Sequence, residues 1–321
     1  MGVYLVHKEL IVMKQKQEKP IPQFVEDFLE YQRYEKTGTS ENTTKAYHAD
    51  IYYFLDWIKQ YKNIKEVTLE TLNELKDQDV LKWKYSLNKT EGNSKPLSAS
   101  TIGRKISAIH SLFRYFNKLH LSDSLVARAL RKPPIPVDDR AKYLSREVAI
   151  KLKSKVYQDG IERDYAIIMV FLNAGLRIGE LISLNIDSIE KNVLTVVKAK
   201  GNKARQIVLN QETVDAINRY LAVRPKSKDN ALFLLDYFEG EPYRITRTSI
   251  ENLIEKYRKL CRIKHCTAHT LRHTYGTLRK EAGVSLETLK ELMGHERIET
   301  TLIYAKTTLT EKARVAELGS I

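Results

Sequence analysis

The chain has 321 residues, enough for two domains of ordinary size, each with its own core. Lys and Arg total 54 against 40 Asp and Glu, giving a formal net charge of +14 and a pI near 9.5, the kind of excess that neutralising DNA phosphates requires. With 13 Gly and 8 Pro the composition excludes fibrous and disordered classes, and only two cysteines, Cys261 and Cys266, argue against a disulfide framework and for a reducing compartment.

The opening VYLVHKELIVM is interrupted by His7, Lys8 and Glu9, so it reads as neither signal peptide nor membrane span. Residues 1–19 end in KQKQEK and read as a flexible basic leader, with Met13 an alternative start. Helices are then predicted near 22–36, 42–61, 69–88 and 98–119, with a short one near 123–131. In two of them Ile51, Phe54, Leu55 and Ile58, and Ile102, Ile106, Ile109, Phe113 and Phe116, recur at helical spacing, and Ser40 and Ser98 are in place as N-caps. The segment RKPPIPVDDR, 131–140, has three prolines that a helix cannot carry, and reads as an extended linker. The expected domains are therefore 20–130 and 141–321, joined by 131–140.

Beyond the linker, helices are predicted near 145–156, 161–173 and 177–183, the middle one an apolar buried run in DYAIIMVFLNAGLRIGELISL broken at Ala174-Gly175. Strands near 193–198 and 205–209 flank the turn cluster Lys200-Gly201-Asn202-Lys203. Helices near 211–222, 246–259, 269–282, 285–293 and 298–305 follow, then an amphipathic tail, LTEKARVAELGSI. The fold class is mostly α with a small β-hairpin, an all-α N-terminal domain preceding an α+β domain.

Six residues of the second half, Arg177, Lys200, His269, Arg272, His295 and Tyr304, supply the side-chain classes that phosphoryl transfer onto a protein hydroxyl needs. A tyrosine can attack phosphorus and stay attached, conserving the bond energy, but its phenol has an ordinary pKa of about 10 and needs a base. His269 is the candidate base. Arg177 and Arg272 offer planar forks for the growing charge on the non-bridging oxygens, with His295 as a further donor. Lys200, at a hairpin tip, can protonate the departing oxygen. His269, Arg272 and His273 fall at i, i+3 and i+4 on one helix, and Glu180 lies three residues from Arg177, so Glu180 and His273 are candidates for orienting the reactive groups.

Cys261, His265, Cys266, His269 and His273 also cluster, but their spacing does not match structural zinc sites, and no metal is expected. Wider DNA contact is assigned to Arg104, Lys105 and Arg114 on one helix, to Arg131, Lys132 and Arg140 on the linker, and to Arg244 and Arg247.

Together AGLRIGEL, KAKGNKARQIVL, HTLRHTYGT, LMGHERIETT and IYAK resemble the tyrosine recombinases, the family of Xer proteins and phage integrases, in the family's order through most of residues 140–321. SENTTKAYHADIYYFLDWIKQY and PLSASTIGRKISAIHSLFRYFNKLHL resemble two helices of the family's core-binding, SAM-like domain. The resemblance implies the six residues as the catalytic set with Tyr304 as nucleophile, 3′-phosphotyrosine intermediates, strand exchange through a Holliday junction in a homotetramer on double-stranded DNA, and no cofactor. It also implies a tail that docks on the next protomer, and a prokaryotic cytoplasmic, nucleoid-associated enzyme, with a second recombinase or accessory protein as an optional partner. About twenty residues before the first helix are too few for the arm-binding domain of many phage integrases, which favours an Xer-like or mobile-element resolvase or integrase. Two other readings stand beside it: a type IB topoisomerase-like or telomere-resolvase activity, and a non-catalytic DNA-binding regulator.

Overall fold

The computed structural model describes residues 21–34, 41–88, 96–134, 143–197, 204–235, 240–294 and 301. Expectations for the leader, Ser40, Arg140, Lys200, His295, the helix near 298–305, Tyr304 and the tail lie outside the described residues. The chain divides into two compact units, Met1–Asp138 and Asp139–Ile321.

The first unit is helical. Among its described residues are α1 (Gln23–Tyr34), α2 (Glu41–Lys62), α3 (Leu69–Asn73), α4 (Asp77–Ser86), α5 (Ala99–Lys118) and a 3₁₀ turn, Val126–Ala129. The apolar positions read from spacing, Ile51, Phe54, Leu55 and Ile58 on α2 and Ile102, Ile106, Ile109, Phe113 and Phe116 on α5, are all buried. They join Phe28, Leu72 and Trp83 in one core, with Phe54 meeting Trp83 edge-on at 4.8 Å. Ser98 caps α5 by accepting from Thr101 N at 3.1 Å.

The single helix expected over 69–88 is two. Thr68 and Thr71 close a capping box on α3, and a fresh start follows because Asp79 reaches back to accept from Lys76 N at 2.9 Å. The segment read as helix 123–131 is instead a four-residue 3₁₀ turn whose flanking Ser122 and Ser124 hydroxyls accept local backbone N–H groups.

Inside this unit Asp50 is buried at 1% exposure and takes both Lys105 Nζ, at 3.2 Å, and Arg104. Lys105 is itself buried, its ammonium 4.1 Å from the Tyr53 ring centre. Removing one partner of such a pair strands the other charge.

The second unit holds α6 (Arg146–Gln158), α7 (Glu162–Ala174), α8 (Ile178–Ser183), α9 (Gln211–Val223), α10 (Arg247–Leu260), α11 (Ala268–Glu281) and α12 (Leu286–Met293). Three antiparallel strands, β1 (Ile189–Glu190), β2 (Val193–Val197) and β3 (Ala204–Val208), run in the order β1-β2-β3, and Val197 pairs with Ala204 at the hairpin end. A two-residue pair, β4 (Leu234–Leu235) with β5 (Tyr243–Arg244), was not expected from sequence; strands that short carry no alternation to read.

Helix α7 is buried throughout Tyr165–Phe171 and is the centre of the core, packed against α6, α9 and α11. It stops at Gly175, which is left-handed at φ +60. A Cβ there would lie 2.3 Å from the Tyr275 ring of α11, so only glycine lets these two helices close this tightly. At the start of the described part of the unit, Leu144 N donates to Thr274 Oγ1 of α11 at 2.9 Å.

Asp50→Ala should leave Lys105 buried without its carboxylate and cost the first unit about 3–4 kcal/mol. Urea unfolding followed by tryptophan fluorescence measures it; Trp57 and Trp83 both lie in that unit, and an unchanged midpoint would refute the pairing.

Candidate active site

Arg177 is the residue at which the chain leaves Leu176 and enters α8, in an extended conformation as the N-cap. Glu180 occupies the third helical position, where a carboxylate can reach back to the cap, and it accepts from Arg177 N at 2.8 Å. Its other bonds are to side chains. Glu180 accepts from Arg177 Nη1 at 2.9 Å and takes a two-pronged fork from Arg205, Nη1 to Oε1 at 3.0 Å and Nη2 to Oε2 at 2.8 Å. Arg272 Nη1 approaches the same carboxylate at 3.7 Å. Burial pushes the Glu180 carboxyl up, but the Arg205 fork and the Arg177 contacts outweigh it and hold the group down at about 2.

Arg272 is buried and spans two helix ends. Nη1 donates to Gly175 O at 2.7 Å, where α7 terminates, and Nη2 donates to Met293 O at 2.6 Å, where α12 terminates. The neighbouring carbonyls of α12 are met in the same way: Arg205 Nε donates to Leu292 O at 2.8 Å and Arg177 Nη2 to Gly294 O at 3.3 Å. Three consecutive carbonyls that an α-helix leaves without internal partners therefore each accept from a different arginine, at the end where the helix dipole favours positive charge. Gly294 itself is left-handed at φ +63 and ends the helix.

Around Glu180 the three guanidinium groups exceed the one carboxylate by two positive charges. A pre-set cluster of that sign, with Arg177 still 45% exposed, suits a phosphate diester. One turn before Arg272, His269 is exposed on α11 and bonds its Nε2 to His273 Nε2 at 2.9 Å, with the rings 4.4 Å apart and nearly perpendicular. One of the two facing nitrogens must carry the proton. His269 and His273 thus pair with each other, while Arg272 turns inward to the helix ends.

The structure therefore gathers Arg177, Glu180 and Arg272 at one point and carries His269 and His273 on the same helix as Arg272. Lys200, His295 and Tyr304 are outside the described residues. Lys200 belongs to the six residues between the paired ends Val197 and Ala204, and His295 directly follows Gly294.

Arg205 is the residue that sequence reasoning missed. Its signal was present: β3 alternates, Ile207 and Leu209 point into the core, and Arg205 shares their face. A charged residue on an inward face needs a buried partner.

Of the residues expected to touch DNA, Arg114, Arg131, Lys132 and Arg247 are exposed, although Arg247 lies 3.6 Å from Glu251, and Arg104 pairs with Asp50. Two others are turned inward. Lys105 is buried on Asp50, and Arg244 donates to Ile182 O, Leu184 O, Asn185 Oδ1 and Asp229 Oδ1 at 2.8–3.1 Å, stitching β5 to the end of α8. A mid-helix lysine or a mid-segment arginine shows its charge in sequence, not the acceptors folded around it.

Comparison with known proteins agrees across both units. The phage integrase family matches residues 147–311, and the phage integrase N-terminal SAM-like domain matches residues 25–118. The chain is 34% identical to the tyrosine recombinase XerC of Caldanaerobacter subterraneus subsp. tengcongensis over 92% of this chain and 86% of that protein. It is 29% identical to the tyrosine recombinase XerD of Listeria monocytogenes over 88% of this chain and 94% of that one. In fold it is similar to the Tn1549 transposon integrase in complex with circular intermediate DNA, with a TM-score of 0.65 at 23% identity over 92% of this chain and 98% of that one. It is also similar in fold to the XerH site-specific recombinase bound to difH substrate, with a TM-score of 0.65 at 17% identity over 86% and 79%.

Glu180 ionises near 2 when folded against an ordinary 4.5, so its contribution is whole above about 4.5 and fades as pH falls toward 2. Glu180→Gln should be less stable by on the order of 2–3 kcal/mol near neutrality, with the gap closing below about pH 4.5. Urea unfolding across that range measures it, and a gap that does not change with pH would contradict an ionised carboxylate.

Proposed function

We propose, since the chain belongs to the phage integrase family and is a tyrosine site-specific recombinase, that Tyr304 cleaves its DNA site and that Arg177, Arg272, His269, His295 and Lys200 serve that step. The observation that supports this most is the meeting of Arg177 and Arg272 on Glu180 and on the last carbonyls of α12, immediately before His295. Two arginines anchored there are oriented before any DNA arrives, which is when fixed donors lower a barrier most.

In the proposed step the Tyr304 phenol oxygen bonds to phosphorus while the bond from phosphorus to the 5′ oxygen breaks. The phenolic proton passes to His269, whose ring is held by His273. Arg177 and Arg272 take the charge that gathers on the non-bridging oxygens, with His295 as a further donor, and Lys200 gives a proton to the departing 5′ oxygen. The product is a 3′-phosphotyrosine and a free 5′ hydroxyl. Rejoining is the same step reversed with a hydroxyl from the other duplex, so no nucleotide is consumed. The two arginines take the charge a metal would otherwise neutralise, and the reading needs no metal ion.

DNA is the partner. The first unit, exposing Arg114 and Arg104 on α5, and Arg131 and Lys132 after it, would track the backbone together with Arg140, while Arg247 at the start of α10 contacts it from the second unit. Two sites would be joined in a homotetramer that exchanges strands pairwise through a Holliday junction, with the tail after Tyr304 docking on the next protomer.

A nicked duplex bearing the protein's own site tests the chemistry. The parent should become covalently attached and release the 5′ hydroxyl strand, whereas Tyr304→Phe should bind with unchanged affinity and form no adduct; an adduct mapped by mass spectrometry to another residue would sink the assignment. For assembly, deleting residues 310–321 should reduce tetramers on DNA, measured by light scattering, more than it reduces binding of a single site. Equal tetramer yield would refute the docking tail.

A further inference from the structure

We propose that Arg205 is a positioning residue for strand cleavage, tying the β2–β3 hairpin to the Glu180 carboxylate and to the end of α12 so that the elements leading to Lys200, Arg177 and His295 hold one geometry. The inference rests on the function proposed above. All three guanidinium nitrogens of Arg205 are engaged: two grip the two oxygens of Glu180, and the third donates to Leu292 O. The side chain is 11% exposed, so it reaches these partners through protein rather than through water.

The fit leaves no slack. A Cβ on Gly294 would lie 2.8 Å from Arg205 Nη1, so the helix end rests on the guanidinium itself, and glycine is what permits the approach. Along the chain Arg205 follows Ala204, the residue that closes the hairpin against Val197, with Lys200 in the connection between them. Across the chain Glu180 caps α8 and orients Arg177. Arg205 is the side chain through which the strand, the carboxylate and the helix end are in direct contact. Among the described residues its hydrogen bonds go to Glu180 and to the end of α12, and it acts through them.

Two variants separate positioning from mere support. Arg205→Lys keeps the charge but cannot span both carboxylate oxygens and Leu292 O at once; Arg205→Gln removes the charge. Both are measured for melting temperature, affinity for the recombination site, and single-turnover cleavage of the nicked duplex at saturating protein. The expected result for each is a fall of about 100-fold in cleavage with site affinity within about threefold of the parent, and Arg205→Lys melting close to the parent.

A second readout is the pH profile. Glu180 faces Arg177 from its own turn, Arg205 from β3 and Arg272 from α11, and losing the fork removes the strongest influence that keeps its carboxyl ionised against burial. Cleavage by Arg205→Gln should therefore fall more steeply than the parent's as the pH drops from about 7 to about 5. Cleavage within threefold of the parent, an unchanged profile, or melting and affinity that collapse in both variants would each overturn the role. The function beneath it fails separately: a parent that exchanges strands with no Tyr304 adduct would refute that reading whatever Arg205 does.

Discussion

One carboxylate organises the site. Glu180 is buried and would be an unfavourable charge there on its own, since desolvation raises its cost faster than a single surface-type partner could offset it. Three guanidinium groups converge on it instead, and each has a second attachment to the backbone. Buried ion pairs of this kind are often no more stabilising than apolar packing of equal volume. What the cluster does supply is direction: each fork is fixed at both ends, and the excess of positive charge stays where an anion can enter.

The same cluster solves a problem of helix α12. Eight residues are too few to hold a helix by propensity, and its last carbonyls need donors. Arg205, Arg272 and Arg177 provide one each, and Leu289 and Met293 bury against Tyr275 of α11. The chain that continues to His295 thus leaves from a point secured by the two arginines proposed to bind phosphate and by Arg205, which positions them. Support of the fold and preparation for chemistry are one set of contacts.

Much of this was legible in the residues. The helical spacing of Ile51 through Ile58 and of Ile102 through Phe116 marks buried faces because a core with a 3.6-residue period leaves no other reading, and Gly175 after an apolar run announces the break that presents Arg177. Arg177, Glu180 and Arg272 could be nominated by type and spacing. Contacts between distant segments could not. The alternation of β3 turns Arg205 inward but does not name Glu180 as its partner, nothing local shows that Arg244 is taken up by the acceptors around β5, and the i, i+4 relation of His269 to His273 gives proximity without revealing that they bond to each other. The split of 69–88 into α3 and α4 was missed for a smaller reason: an aspartate three residues into a helix is an ordinary helical residue until its oxygen is seen bonding backward.

The amide of Leu144 hangs on the hydroxyl of Thr274, and that hydroxyl in turn donates to Thr270 O one turn earlier. Thr274 is wholly enclosed and sits two residues from Arg272 and five from His269. Chain entering the second unit is therefore moored to the spine of α11 and not to a surface loop. A pull on the backbone at Leu144 would be borne by that spine, the same rod that carries Arg272 and His269.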